Sequence, residues 1–162
     1  MRVKKRNGSF EDVSFDKIIL RLQLLSNDLN VDCGIIAQKV VSRMSDNMST
    51  RELDELSSQL CMEMITNHLD YGTLGSRIAI DNHHKNTKNT LLESFTILYN
   101  NKDILGKESP LINKKIYTLV QQNNEKIEEM IDYKRDFLIN YFGFKTLCKS
   151  YLLKINNEII ER

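Results

Sequence analysis

Apolar residues recur at helical spacing through most of this chain, and that periodicity limits the fold more than any other feature. Ile18, Ile19, Leu22, Leu25 and Leu29 form one stripe, and Ile35, Ile36, Val40, Val41 and Met44 a second. Leu53, Leu56, Leu60 and Met64 form a third, and Leu74, Ile78 and Ile80 a fourth. Spacings of three and four place each set on one face of a helix. A helix with one apolar face must bury it, so the first half is expected to be helix packed on helix. The start signals agree. Ser14 can cap the first helix, and Ser49 with Glu52 three residues later makes a capping box for the third. Asp70 is expected to cap the fourth, which is expected to run to about Lys88. Asn30 to Gly34 and Ser45 to Met48 break the pattern between helices.

Ahead of these helices, Val3 to Lys5 and Phe10 to Val13 flank Asn7-Gly8. Asn-Gly between short extended runs predicts a hairpin with a type I′ turn, whose two central residues both need positive φ. Met1 to about Lys88 is therefore expected to be a β-hairpin plus four helices. Helices are expected to continue over about Thr90 to Tyr99, and from Leu111 to about Asn124 after the only proline, Pro110. Asn100 to Ser109 is expected to be a loop holding Gly106. A short helix around Lys145 to Leu152 precedes a last hairpin, with Lys154-Ile155 and Ile159-Ile160 flanking Asn156-Asn157. The fold class is mainly α.

The 162 residues are 41% hydrophobic and 28% charged, which suits one soluble domain or two small ones. No apolar run approaches the roughly 18–20 residues that span a bilayer, so no membrane partner is expected. Met1 is followed by Arg2, Lys4, Lys5 and Arg6 without an apolar stretch, so no secretory signal is read and a reducing, cytoplasmic location is expected. A net charge of +1 gives no argument for nucleic acid as a partner. Cys33, Cys61 and Cys148 contain no CxxC pair, which argues against a disulfide framework or a zinc ribbon. Cys61 reads as a small buried hydrophobe, and none of the three reads as catalytic. His83 and His84 are helical neighbours about 100° apart and cannot easily share one metal. They and His68 read as a solvated helix face. Asp132, Arg135 and Asp136 read as an Asp–Arg structural network. No catalytic residue and no metal site is read.

One constellation points to a ligand. A basic hairpin, Lys4-Lys5-Arg6 with Asn7-Gly8, feeds directly into a helix opening Ser14-Phe15-Asp16-Lys17-Ile18. Backbone N–H groups and the dipole at a helix start favour an anion. Lys5, Arg6 and Lys17 can add charge-assisted bonds to phosphate oxygens. Val13, Phe15 and Ile18 could line an apolar slot for a base, or could simply be core. On residues alone both readings stand.

The segment V-K-K-R-N-G-S-F-E-x-V-S-F-D-K-I, from Val3 to Ile18, resembles the opening of the ATP-cone, a regulatory module that binds ATP or dATP. Two later segments match in order and spacing. Ser49-Thr50-Arg51-Glu52-Leu53-Asp54 resembles its Thr-x-x-Leu-Asp helix start. Asp70-Tyr71-x-x-Leu74-x-x-Arg77-Ile78-Ala79, followed by Asn82-x-His84-Lys85-x-Thr87-Lys88, resembles its last helix. The resemblance implies that Lys5 and Arg6 contact phosphates, and that Glu11, Asp12, Val13, Ser14, Phe15, Asp16, Lys17 and Ile18 wrap the nucleotide. It implies that Thr50 and Asp54 approach the sugar and base, and that Lys85 returns to the phosphates. Read plainly, Asp54 is only an acid in the first turns of a helix, favourable with its dipole. Through the family it responds to the sugar. The implied effector is ATP or dATP, with magnesium, and no catalytic cofactor is implied.

Near the end stand Asp132-Tyr133-Lys134-Arg135-Asp136-Phe137, then Tyr141-Phe142-Gly143-Phe144-Lys145-Thr146-Leu147, then Ser150-Tyr151-Leu152-Leu153-Lys154-Ile155. This series resembles the amino-terminal region of the large subunit of class I ribonucleotide reductase, and the resemblance covers essentially the whole chain. It implies an ATP-cone over 1–89 and the start of the reductase's helical amino-terminal domain over 90–162, cut before the catalytic barrel. The family's catalytic cysteines lie in that barrel, so the chain is expected to be inactive alone. The implied role is allosteric control of deoxyribonucleotide synthesis: ATP keeps the enzyme active, and dATP switches it off through large-subunit assembly. The implied partners are other large-subunit copies and the radical-generating small subunit. A free-standing ATP-cone regulator and a purely structural helical module are the alternative readings.

Overall fold

The computed structural model describes residues 1–162, which divide into two units. One comprises Met1–Asn82 with Ile139–Phe144, the other His83–Leu138 with Lys145–Arg162.

In the first unit, β1 (Arg2–Lys4) pairs antiparallel with β2 (Phe10–Asp12), with Val3 opposite Glu11. The hairpin forms as expected, but its turn differs. Gly8 alone takes positive φ, at 86°, and its N–H donates to the Lys5 carbonyl at 2.9 Å. The Lys5 N–H donates to the Ser9 carbonyl at 2.8 Å. Arg6 and Asn7 are therefore the central residues of the turn, and Gly8 is the left-handed residue that closes it. The Asn7 side chain accepts from the Ser9 N–H at 3.0 Å. A third strand, β3 (Met48–Ser49), lies parallel to β1 on its other side, giving the order β2-β1-β3. The sequence carries no period for a two-residue strand, and this pairing was not expected.

Four helices follow the expected stripes: α1 (Phe15–Leu25), α2 (Cys33–Arg43), α3 (Thr50–Glu63) and α4 (Asp70–Asn86). α1 does not reach Leu29 as expected: Ser26 caps it and Asp28 takes positive φ, so Leu29 packs against the core from the loop that follows. Ser14 caps α1 by accepting the Lys17 N–H, and Ser49 and Glu52 form the full capping box of α3. Asp70 does not cap. It is the first residue of α4, and its carboxylate accepts the Asn30 N–H at 2.7 Å. The stripes meet in one core that includes Ile18, Leu22, Ile36, Val40, Leu60, Cys61, Leu74 and Ile78. Burial pushes the Cys61 thiol up to about 12, as befits a core residue. Helices α3 and α4 come close where Ser58 Oγ donates to the Gly75 carbonyl at 2.6 Å.

In the second unit, α5 (Leu91–Tyr99) opens with a Thr90–Glu93 capping box. α6 (Lys114–Gln122) begins three residues later than Leu111, because Asn113 takes the cap. Tyr99 and Tyr117 stack at 4.4 Å between ring centres. α7 (Asn124–Met130) and a 3-10 helix (Tyr133–Leu138) were not expected. α8 (Tyr141–Ser150), whose first four residues belong to the first unit, starts four residues before Lys145 and stops short of Leu152. The last hairpin forms from β4 (Lys154–Ile155) and β5 (Glu158–Ile159), with Asn156 and Asn157 both at positive φ. No helix is long and apolar enough to cross a membrane.

His83 and His84 are not a solvated face. The His84 side chain is 10% exposed, and its Nε2 lies 2.8 Å from Asp136 Oδ2. Its ring also meets Phe137 edge-on. Burial, then the neighbouring His84, pushes the His83 imidazole down to about 4. The Asp–Arg network is not formed as expected, since Asp136 pairs with His84 and Asp132 accepts the Lys134 N–H.

Candidate functional site

The hairpin turn projects Arg6 into a cluster built from three helices. Its Nη2 donates to Asp54 Oδ2 at 3.3 Å and to Asn82 Oδ1 at 2.8 Å. Asp54, on α3, is 8% exposed. Its other partner is Arg21 on α1, whose Nε reaches Oδ1 at 3.3 Å and whose Nη2 reaches Oδ2 at 3.4 Å. The same Arg21 Nη2 is also paired with Asp81 on α4. Asn82 donates through Nδ2 to the Arg51 carbonyl at 3.0 Å. Two guanidiniums and two carboxylates thus alternate across α1, the turn, α3 and α4. Burial alone would lower the Arg21 pKa, but the Asp54 and Asp81 carboxylates more than offset this and raise it.

Beside this cluster the hairpin carries a second set of charges. Glu11 on β2 bridges the Lys5 ammonium at 2.8 Å and the Lys17 ammonium. The Lys17 side chain is 62% exposed. Ser14 caps the helix that carries Lys17, its hydroxyl accepting the Lys17 N–H at 3.4 Å. Lys5 and Lys17 thus meet at Glu11, while Arg6 stands in the β1–β2 turn, giving the hairpin and the first turns of α1 three cationic groups. That donor set suits the oxygens of a phosphate chain.

The other expected residues are placed as follows. Asp12 pairs in register with Arg2 and is exposed, as is Asp16 in the first turn of α1. Val13 packs against the core, Ile18 is 7% exposed within it, and Phe15 is 39% exposed. Phe15 is thus the one apolar residue of the three with a large open surface. Thr50 is half-buried at the first position of α3. Lys85 is exposed in the last turn of α4, within the second unit. The structure brings Arg6 to Asp54, and Lys5 and Lys17 to Glu11.

Sequence reasoning missed Arg21, Asp81 and Asn82 as members of this cluster. Asn82 was visible in principle: it continues the Leu74–Ile78 stripe by four residues, so a polar residue falls on a buried face and is 6% exposed. Arg21 follows Lys17 by four, which places both on one side of α1.

The ATP-cone family, described as the ATP cone domain, matches residues 1–86. The whole chain is also similar to ribonucleoside-diphosphate reductase large subunits. It is 46% identical to that of Plasmodium falciparum (isolate Dd2), over 100% of this chain and 20% of the relative. It is 43% identical to the large chain of Cryptosporidium parvum, with 100% and 20% covered. It is 45% identical to the large subunit of Monkeypox virus, with 100% and 22% covered. The chain thus spans about a fifth of the length of these relatives. With its hairpin, its four helices and its matched segments in family order, the chain belongs to the ATP-cone family.

Proposed function

We propose that this chain is the adenine-nucleotide sensor of a ribonucleoside-diphosphate reductase large subunit. The observation that carries the reading is the basic hairpin: Arg6 at the β1–β2 turn meets Asp54, and Lys5 and Lys17 meet at Glu11. Lys5, Arg6 and Lys17 hold the phosphates of ATP or dATP, and Lys85 joins them. The segment Glu11, Asp12, Val13, Ser14, Phe15, Asp16, Lys17 and Ile18 wraps the nucleotide, with Phe15 offering an apolar surface to the base. Thr50 and Asp54 approach the sugar. One 2′-hydroxyl separates ATP from dATP, so telling them apart requires an acceptor placed at that hydroxyl. The Asp54 carboxylate, fixed by two arginines, has the chemistry for that role. No group of three or more His, Cys, Asp or Glu is placed to hold a metal ion, and magnesium accompanies the triphosphate.

The sensor regulates overall reductase activity in deoxyribonucleotide synthesis, in the cytoplasm. ATP favours the active assembly of large subunits and dATP an inactive one, so the coupling is the differential affinity of two assembly states for the two ligands. Other large-subunit copies and the radical-generating small subunit are the partners. The test is thermal unfolding with and without nucleotide. A ligand that binds only the native state stabilises it by about 2.7 kcal/mol at 100 times its Kd. A melting temperature that does not move with millimolar ATP or dATP contradicts the proposal.

A further inference from the structure

We infer that Arg21 is a positioning residue of the nucleotide site: clamped by Asp81, it is the counterion that stays with Asp54 when Arg6 turns to phosphate. The inference rests on the nucleotide reading above and deepens it.

The two arginines hold Asp54 differently. Arg6 lies at the tip of the β1–β2 turn, its side chain is 35% exposed, and it meets the carboxylate through one nitrogen at 3.3 Å, the same nitrogen donating to the neutral Asn82 Oδ1 at 2.8 Å. Arg21 lies within α1, its side chain is 23% exposed, and it meets both carboxylate oxygens, at 3.3 and 3.4 Å. Its Nη2 is held in addition by Asp81 on α4. Arg21 is thus fixed between two carboxylates on different helices, whereas Arg6 shares one nitrogen between a single carboxylate and a neutral amide. A phosphate that recruits Arg6 therefore takes one partner from Asp54 and leaves the other.

That second partner matters because the Asp54 side chain is only 11% exposed. A mostly buried carboxylate that loses all its partners is costly, and the group responds by taking up a proton. The other charges nearby do not replace Arg21. Arg51 and Glu55, on the same helix as Asp54, each already have a partner, Asp81 on α4 carries the same sign, and Lys5 and Lys17 are engaged with Glu11. A lysine at position 21 would bring charge but not the planar fork that meets both oxygens.

The test is the pH dependence of MgATP affinity, measured by titration calorimetry on the full chain and on Arg21→Gln between about pH 7 and pH 5. In Arg21→Gln, binding removes the last counterion from Asp54, so the bound state takes up a proton that the free state does not. Affinity should then rise on acidification, relative to the parent, with a limiting slope of about tenfold per pH unit. Adding Asp54→Asn to that variant should abolish the extra slope, because the titrating group is gone. Arg21→Lys, which keeps the charge without the planar fork, should show less of the extra slope than Arg21→Gln, and circular dichroism checks that each variant is folded. Equal pH slopes for the parent and a folded Arg21→Gln, or an extra slope that survives Asp54→Asn, would overturn the inference. No MgATP binding by the parent at any pH would sink the nucleotide reading itself, and this inference with it.

Discussion

Gly72 and Gly75 lie three residues apart on α4, and replacing each by alanine should move stability in opposite directions. A Cβ at Gly75 would stand 3.1 Å from the Ser58 carbonyl oxygen, 3.2 Å from Cys61 Cβ and 3.2 Å from Met62 Sδ. Carbon atoms are at their best separation near 3.5–4.0 Å, so the Cys61 contact is roughly 0.3–0.8 Å too close. The first two atoms belong to backbone and to a fully buried side chain, and neither can step aside. Helix α3 must shift, which strains the 2.6 Å bond from Ser58 Oγ to the Gly75 carbonyl. Overpacking of this kind costs about 1–3 kcal/mol, and weakening one buried hydrogen bond adds up to about 1 kcal/mol. Alanine returns about 0.8–1.0 kcal/mol of helix propensity. The net expectation for Gly75→Ala is a loss of about 1–2 kcal/mol. At Gly72 the new Cβ would meet only Ile65, at 2.7 Å from its Cδ1 and 3.2 Å from its Cγ1. Ile65 is 37% exposed, so its tip can swing into solvent. Gly72→Ala should therefore be neutral or gain up to about 1 kcal/mol. Native-state hydrogen exchange of the Leu60 and Leu74 amides reads the free energy of opening this unit without needing the whole chain to melt at once. If Gly75→Ala stabilises as much as Gly72→Ala does, the close α3–α4 approach is not as described.

Asp54→Asn should change the ratio of ATP to dATP affinities by about tenfold, some 1.4 kcal/mol. It should cost about 1–2 kcal/mol of stability, because Arg6 keeps Asn82 and Arg21 keeps Asp81. A ratio equal to the parent's removes Asp54 from the discriminating role. His83 gives a pH prediction whose sign follows from its depressed pKa. Its folded value, about 4, lies below the unfolded value of 6.5, so its contribution is present above about pH 6.5 and is lost as pH falls towards 4. The melting temperature of the parent should drop more between about pH 7 and pH 5 than that of His83→Gln, with up to about 3 kcal/mol at stake over the full range. Parallel pH profiles for the two chains would mean that His83 is not held neutral by burial.

The four helices of the first unit were legible because everything that defines them is local. Stripes such as Ile18–Leu22 and Leu74–Ile78, and caps such as Ser14 and Ser49, lie within a few residues of what they govern. The hairpin was legible too, but its turn was not, since Asn-Gly suits more than one turn and here only Gly8 needs the left-handed region. Strand β3 was invisible because its pairing with β1 is set by the path of the chain between them. In the second half, α7 holds a single half-buried aliphatic residue, Ile127, and no stripe. Helix α8 opens through Gly143, which reads as a breaker until the Asn140 side chain is seen to accept its N–H at 2.8 Å. Of the candidate site, the basic turn and Asp54 were legible through a family pattern. Arg21, Asp81 and the His84–Asp136 pair were not, because the partners stand 33 to 60 residues apart.

The most direct measurement is titration calorimetry of ATP into the full chain and into Arg6→Ala. One adenine nucleotide should bind per chain, and Arg6→Ala should weaken it about tenfold or more while Arg21 keeps Asp54 paired and the fold intact. No binding to the parent, or unchanged affinity in a folded Arg6→Ala chain, would contradict the assignment of the nucleotide site to the Arg6–Asp54 cluster.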